Sequence, residues 1–185
     1  MLEIRWHSRA GQGAVTGAKG LADVISTTGK HVQAFAFYGS AKRGAAMTAY
    51  NRVDDKVVMN HEKYMKPDYV FVIDPALAIT TDVTIHHKDT TKYIITTHLS
   101  TEDLIKAQPR FKDKEVYVVD CIVIANETIG LPIPNTPMLG AFMKVSGMYD
   151  IEFFKENMKR VLAKLPKKIV DANMIAIQRA YDEVK

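Results

Sequence analysis

A glycine-rich turn near the amino terminus is the residue pattern in this sequence best suited to binding an anion. Gly11-Gln12-Gly13 separates an alternating segment, residues 2–7, from a segment in which apolar residues recur every three or four positions. At such a strand-turn-helix junction, free backbone N–H groups and the positive end of the helix dipole attract phosphate or carboxylate. The same glycines would also allow close packing of helix against strand, and the sequence leaves both roles open.

The turn departs from the two familiar nucleotide-binding patterns. The dinucleotide pattern G-x-G-x-x-G is not met, because the next glycine, Gly17, lies one place late. Gln33 stands where that pattern expects an acidic residue about 20 positions further on. No Gly-Lys-Ser/Thr follows the turn, so the Walker pattern is not met either. These departures argue against a classical NAD site and against a P-loop.

Two adjacent cations, Lys42 and Arg43, follow the second predicted strand, residues 31–37. If the first two strands are neighbours, this pair lies on the same edge of the sheet as the glycine turn. A guanidinium beside an ammonium suits phosphate recognition, the first as a bidentate donor and the second as a point charge. The pair would serve equally well as salt-bridge donors at an interface with another chain.

Residues that ligate metals or act as nucleophiles are present but poorly arranged. No histidine stands four residues from another ligand on a predicted helix, so we expect no metal site. Cys121 follows a buried strand with no base nearby in sequence, and we expect a small core residue and no catalytic residue in this chain. One cysteine forms no intrachain disulfide and cannot alone ligate an iron–sulfur cluster or a zinc ribbon. The histidines are His7, His31, His61, His86, His87 and His98.

Three short apolar runs, rich in β-branched and aromatic residues, predict parallel strands covered on both faces. They occupy residues 69–73, 93–95 and 116–119. Each run ends in a polar residue, where the carboxyl ends of parallel strands open on a binding crevice. We favour a turn at Asp74-Pro75 and a helix cap at Asp120 over catalytic roles for these two carboxylates.

The alternation of strands and helices, followed by a helical last third, predicts the fold class. We expect an α/β fold with a Rossmann-like, open, mostly parallel sheet flanked by helices, a β-hairpin insertion near residues 44–60, and a helical C-terminal flank. No repeat, low-complexity tract or linker interrupts the chain, so residues 1–185 are predicted to form a single domain.

Composition and charge narrow the class of protein. The 185 residues include 25 Lys and Arg against 21 Asp and Glu, a net charge of +4 that could serve an anionic ligand. The densest basic stretch, residues 159–168, has helical spacing and reads as a solvated helix face, so we do not expect nucleic-acid binding. No apolar run could span a bilayer, and the first residues lack a signal-peptide layout. We therefore expect no membrane association and a cytoplasmic location.

Four ordered motifs resemble a known family. Residues 4–15, IRWHSRAGQGAV, look like the signature of gamma subunits of 2-oxoacid:ferredoxin oxidoreductases, particularly the pyruvate enzymes. Residues 38–45, 67–75 and 131–141 fall in the same order as in that family, and residues 173–177 also fit. The likeness covers nearly the whole chain.

The sequence also departs from the family pattern. Ser8 and Ala10 stand where the family commonly has glycines, which tightens the turn and weakens the case for a direct phosphate cradle. Ser40-Ala41-Lys42 replaces the usual bulkier or acidic residues before Arg43.

The resemblance implies a heteromeric enzyme that uses thiamine diphosphate, iron–sulfur clusters and coenzyme A to oxidise pyruvate to acetyl-CoA and CO2, with electrons passed to ferredoxin or flavodoxin. This chain has no Gly-Asp-Gly diphosphate motif and only one cysteine. Thiamine diphosphate, Mg2+ and [4Fe-4S] clusters are therefore expected on companion alpha, beta and delta-type subunits, with this gamma subunit inactive alone. There are two alternatives. The chain could be a gamma subunit of a branched-chain 2-oxoisovalerate or 2-oxoglutarate oxidoreductase, or it could be a free-standing nucleotide-binding module.

Within that resemblance, five residues are candidate cofactor contacts. We expect Gly11, Gln12, Gly13, Lys42 and Arg43 to line the crevice that faces the catalytic subunits. There they would hold the anionic end of coenzyme A or make interface contacts.

Overall fold

The computed structural model describes residues 1–38, 44–59 and 66–185. Its strands are β1 (Leu2–Arg9), β2 (His31–Tyr38), β3 (Ala46–Asp54), β4 (Tyr69–Val72), β5 (Lys92–Thr96) and β6 (Glu115–Val119). Its α-helices are α1 (Ala14–Ser26), α2 (Pro75–Thr80), α3 (Thr101–Ala107), α4 (Cys121–Ile129), α5 (Asn135–Ser146), α6 (Ile151–Val161) and α7 (Lys167–Glu183). The predicted α/β class and helical C-terminal flank are confirmed.

The strands form one six-stranded sheet in the order β2-β3-β1-β4-β5-β6. β1 and β4 to β6 run parallel, as predicted, whereas β3 runs antiparallel to both of its neighbours. β2 is therefore parallel to β1, so the carboxyl ends of both strands reach the same edge of the sheet. The two strands are not neighbours, the arrangement on which the sequence argument for Lys42 and Arg43 was conditional, because β3 lies between them.

The predicted hairpin insertion at residues 44–60 is wrong in its extent. Ala46–Asp54 is one unbroken strand, and its antiparallel partner is β2, with Phe35 opposite Tyr50. The physical reason is its alternation, which places Met47, Ala49 and Val53 in the core beneath the helices. A strand of nine residues can then pair along its whole length with β1 and β2.

Two apolar cores lie on opposite faces of the sheet. The larger joins β-strand residues such as Trp6 and Phe71 to α1 and to α4, α5, α6 and α7. The smaller packs Val72 and Tyr93 beneath α2, α3 and Phe111. β4 and β5 contribute to both cores, which explains why their sequences are continuously apolar. Within the described ranges, no helix has the length and apolar character needed to cross a membrane.

Candidate anion-binding site at the glycine turn

The carboxyl ends of β1 and β4 lie side by side near the middle of the sheet. The two strands are parallel neighbours, with His7 aligned with Val72. From β1 the chain passes through α1 to β2 on one side of this pair, and from β4 it passes through α2 to β5 on the other. Ligands of open α/β sheets bind in the crevice at such a reversal of strand order. The glycine turn that follows β1 is therefore at the expected place for a ligand.

The backbone of the turn requires glycine at two positions. Gly11 has a φ of +100° and Gly13 a φ of +83°, both in the left-handed region. A Cβ on Gly13 would also lie 2.7 Å from Nδ2 of Asn135. Gly13 thus serves close packing between the start of α1 and the start of α5, one of the two roles that the sequence left open.

The amino end of α1 is available for an anion. As in any α-helix, the N–H groups of its first turn have no acceptor within the helix. No side chain in the described part of the chain caps α1, and the ladder of the helix begins with the N–H of Gly17 donating to Gly13 O at 2.8 Å. The geometry is therefore compatible with the second role as well, recognition of a phosphate or carboxylate.

Two cavities open beside this helix end. One, of about 240 Å³, is lined by Gly11, Gly13 and the first residues of α1. The other, of about 420 Å³ and mainly apolar, is lined by β-strand residues and by Leu77 of α2. Tyr38 and Met47 line both, so the cavities meet at the carboxyl end of β2. A ligand with an anionic part and a less polar part would fit this arrangement.

The side chain of Gln12 turns back into the protein. Its Oε1 accepts hydrogen bonds from the backbone N–H of Arg9 at 2.7 Å and from Ser8 Oγ at 3.1 Å. Its Nε2 donates to Asp74 Oδ2 at 2.7 Å. Both ends of the amide are therefore engaged within the protein, and Gln12 braces the turn through its side chain.

Asp74 is a residue of this site that the sequence analysis missed. It was predicted to form a turn with Pro75, but it is the N-cap of α2, and its Oδ1 accepts from the N–H of Ala76 at 2.8 Å. Its Oδ2 accepts from Gln12 and from Arg9 Nε, the latter at 3.1 Å. The sequence already placed Asp74 at the carboxyl end of a predicted parallel strand, but the position of that strand beside β1 came only from the structure. Asp120 is the N-cap of α4, as predicted.

Lys42 and Arg43 lie outside the described residues. The residues that flank their segment are at the same sheet edge as the glycine turn. Arg9 Nη1 donates to the carbonyl of Gly44 at 3.1 Å, and the N–H of Ala10 donates to the carbonyl of Ala45 at 3.2 Å. Tyr38, at the other end of the segment, lines the cavity beside Gly11.

Asn135, from the motif at residues 131–141, was also missed as a contributor to this site. Its Nδ2 donates to the carbonyl of Gly13 at 3.2 Å, and its Oδ1 accepts from the N–H of Thr136 at 2.9 Å. One side chain therefore joins the amino ends of α1 and α5.

Other candidate chemistry is not assembled in the described ranges. Among the residues of 1–38, 44–59 and 66–185, no three His, Cys, Asp or Glu side chains lie close enough to hold a metal ion. Cys121 is fully buried, as the prediction of a core residue requires, and burial raises the pKa of its thiol to about 12. His61 lies outside the described residues.

Comparisons with known proteins agree with the resemblance read from the four motifs. A family model described as pyruvate ferredoxin/flavodoxin oxidoreductase matches residues 3–183. The Pyrococcus furiosus protein named pyruvate/ketoisovalerate oxidoreductases common subunit gamma is 39% identical over 185 residues, which cover 100% of this chain and 98% of that protein.

Solved structures share the fold. The PorC subunit of pyruvate oxidoreductase from Thermotoga maritima matches with a TM-score of 0.85 at 37% identity, over 100% of this chain and 97% of that chain. A 2-oxoglutarate:ferredoxin oxidoreductase from Magnetococcus marinus matches with a TM-score of 0.75 at 15% identity, over 98% of this chain but 30% of that one. The second likeness is one of fold alone. Since the family model spans nearly the whole chain and full-length relatives share more than a third of its residues, the chain belongs to the pyruvate ferredoxin/flavodoxin oxidoreductase family and is a gamma-type subunit of a 2-oxoacid:ferredoxin oxidoreductase.

Proposed function

We propose that this gamma subunit supports the oxidation of pyruvate to acetyl-CoA and CO2 by holding the anionic end of coenzyme A at its glycine turn. The observation that carries the proposal is the amino end of α1, which no side chain of the described ranges caps and which faces a cavity at the reversal point of the sheet. Phosphate groups are among the anions that helix amino ends bind. In this proposal residues 1–185 act as a single gamma-type domain within a larger assembly.

The residues of the turn have distinct parts in the proposal. Gly11 and Gly13 keep the backbone clear of side chains and leave the N–H groups of the first helical turn for the phosphates. Gln12 holds the turn in shape through the hydrogen bonds of its side chain. Lys42 and Arg43 supply positive charge from the segment between Tyr38 and Gly44, whose flanking residues contact the turn.

The cavity shared by Tyr38 and Met47 adds a second element to this proposal. Coenzyme A joins a strongly anionic end to a longer, less polar arm. The mainly apolar cavity of about 420 Å³ next to the turn would receive a less polar part of the molecule. In this way one chain would anchor the cofactor while its reactive end reaches a neighbouring subunit.

The redox chemistry is assigned to companion chains. Thiamine diphosphate with Mg2+ would supply decarboxylation, and [4Fe-4S] clusters would carry electrons to ferredoxin or flavodoxin. A cluster held by cysteines needs several thiolates, whereas the single Cys121 of this chain is buried and protonated. A cluster does not fit the single cysteine of this chain, and the sequence has no Gly-Asp-Gly motif for thiamine diphosphate, so we place these groups on alpha, beta and delta-type subunits. The assembly is proposed to be cytoplasmic and this chain to be inactive alone.

A second 2-oxoacid is a specific alternative. The Pyrococcus furiosus relative is named a subunit common to pyruvate and ketoisovalerate oxidoreductases. This chain would then serve both kinds of assembly, with the choice of 2-oxoacid made by companion subunits. The complex can be purified natively through this chain and its subunits identified by mass spectrometry. One set of catalytic partners is expected if the chain serves pyruvate alone, and two sets if it serves both 2-oxoacids. Recovery of the chain without such partners would contradict the proposed function.

The cofactor role is tested by reversing one charge. In a complex reassembled from all subunits, Lys42→Glu is expected to raise the KM for coenzyme A about tenfold with little change in kcat, because it repels the phosphates. Lys112→Glu makes the same change of net charge at an exposed position next to the amino end of β6 and should leave the KM unchanged.

If Lys42 has the competing interface role, a different result is expected for Lys42→Glu. If Lys42 only contacts a companion subunit, Lys42→Glu lowers the yield of assembled complex, measured by size-exclusion chromatography. The KM for coenzyme A of the complex that does form would then stay at the wild-type value. That result would remove Lys42 from the cofactor site.

A further inference from the structure

We propose that Asp74 is a positioning residue that holds the glycine turn in its anion-binding conformation, acting through Gln12 and Arg9. This inference rests on the proposed function, since it names the group that orients the coenzyme A site. Asp74 lies on the connection between β4 and α2 and not on the glycine turn. Its side chain is buried, with 7% of the residue exposed. It therefore acts on the turn from the neighbouring element.

The two carboxylate oxygens of Asp74 have different hydrogen-bond partners. Oδ1 accepts from the N–H of Ala76 and caps α2. Oδ2 accepts from Gln12 Nε2 at 2.7 Å and from Arg9 Nε at 3.1 Å. One side chain thus links the start of α2 to the turn before α1, across the crevice between β1 and β4.

The hydrogen bond from Gln12 to Asp74 orients the Gln12 amide within the turn. With Nε2 held by Asp74, the amide of Gln12 presents Oε1 to the backbone N–H of Arg9 and to Ser8 Oγ. The N–H of Gln12 donates to the carbonyl of Arg9 at 3.2 Å and closes the turn. The Gln12 side chain and the Arg9 carbonyl are thus satisfied within the protein, and no described side chain caps the first-turn N–H groups of α1, which leaves them for a ligand.

Asp74 carries a negative charge beside the proposed phosphate site. A carboxylate close to a phosphate site would repel the ligand if its charge were uncompensated. Here the Arg9 guanidinium pairs with Asp74 at 3.1 Å, so the two side chains together contribute little net charge to the crevice. The pair can therefore fix the geometry of the turn without opposing an anion.

The test separates this role from simple helix capping. Asp74→Asn keeps one oxygen for the cap of α2 but replaces the other oxygen by an amide NH2 group. This group cannot accept hydrogen bonds from Gln12 and Arg9. Asp120→Asn is the matched control, because Asp120 caps α4 in the same way, through Oδ1 and the N–H of Val123 at 3.0 Å. Asp120 does not contact the turn.

Two readouts are made on the full chain in the reassembled complex. Asp74→Asn is expected to raise the KM for coenzyme A about tenfold at nearly constant kcat, and to speed hydrogen exchange at the amides of residues 11–16. Asp120→Asn should change neither. Gln12→Met, which removes the link but leaves Asp74 paired with Arg9, should act in the same direction and covers the case in which Asp74→Asn does not fold.

The outcomes distinguish this inference from the function on which it rests. Unchanged hydrogen exchange at residues 11–16 in both Asp74→Asn and Gln12→Met would overturn the positioning role, even if Lys42→Glu still raised the KM for coenzyme A. Faster exchange with an unchanged KM would overturn the action of Asp74 on the cofactor and, with it, the assignment of the turn as the coenzyme A site.

Discussion

Asn51 is a buried polar residue whose side chain is used at both ends. Its Oδ1 accepts from Trp6 Nε1 at 2.9 Å, and its Nδ2 donates to the carbonyl of Ala18 at 2.7 Å. Trp6 and Asn51 are both 0% exposed. The amide thereby ties β3 to β1 and to α1, the strand and helix on either side of the glycine turn.

We predict that Asn51→Leu lowers the free energy of unfolding by about 2–3 kcal/mol, measured by urea denaturation, because the Trp6 indole N–H is left buried without its acceptor. Trp6→Phe alone supplies the second arm of a double-mutant cycle. The double variant should lose less than the sum of the two single losses, since removing both partners leaves no unmatched pair. Strict additivity would contradict this explanation.

Cys121 provides a residue-level prediction with a pH dependence. Burial raises the pKa of its thiol to about 12, whereas the pKa of an unfolded cysteine is about 8.5. The folded state therefore keeps the proton that the unfolded state releases. The contribution of this thiol to stability is fully present below about pH 8.5 and is lost as the pH rises towards about 12.

The accompanying measurement is thiol labelling. At pH 8 a disulfide reagent should leave the folded chain unmodified and should react stoichiometrically once urea unfolds it, because only the exposed thiolate is nucleophilic. Rapid labelling under native conditions would show that Cys121 is accessible.

At the scale of elements, α5 and α7 approach each other unusually closely at Gly140. A Cβ built on Gly140 would lie 2.0 Å from the backbone carbonyl oxygen of Ile177 and 2.8 Å from its carbon. Backbone atoms cannot move aside as the end of a side chain can. This contact explains why the motif at residues 131–141 has a glycine at position 140.

We predict that Gly140→Ala lowers the free energy of unfolding by about 3 kcal/mol, because α7 must shift away from α5. Gly20→Ala is the matched control in the interior of α1. Its Cβ would lie 3.6 Å from Met158 Cε, an ordinary contact, and alanine should stabilise the helix by about 0.5–1 kcal/mol. Thermal denaturation of both variants measures the difference, and equal effects would refute the close approach.

At the scale of the whole molecule, the sheet joins two cores. Ile94 and Ile95 are consecutive residues of β5, both 0% exposed, and they lie in different cores. Since both cores are built on the same strands, loss of either should weaken the whole sheet.

We predict that Ile94→Ala and Ile95→Ala each lower the free energy of unfolding by about 2–5 kcal/mol. Urea unfolding is followed by fluorescence of the sole tryptophan, Trp6, which belongs to the larger core, and by far-ultraviolet circular dichroism. The two probes should give one midpoint for each variant. If Ile95→Ala moved only the circular dichroism transition, the two cores would be independent units.

Local patterns accounted for most of the elements. The strand-turn-helix at the amino terminus, the continuously apolar β4 and β5, and the cap Asp120 were all readable from neighbouring residues. Such signals lie within one or two turns of chain, where backbone geometry and side-chain periodicity act directly. The pairing of β3 between β1 and β2 was not readable, because it depends on which strand edges are free after folding.

The amino-acid sequence by itself determined the fold class, the family resemblance and the position of the glycine turn, since each of these depends on short-range periodicity or on ordered motifs. Only the tertiary structure decided what surrounds the turn. Gln12 and Asp74 are 62 residues apart, and Gly13 and Asn135 are 122 apart. Contacts at such separations arise when parallel strands align their carboxyl ends and two helix starts meet, and no local pattern of residues encodes them.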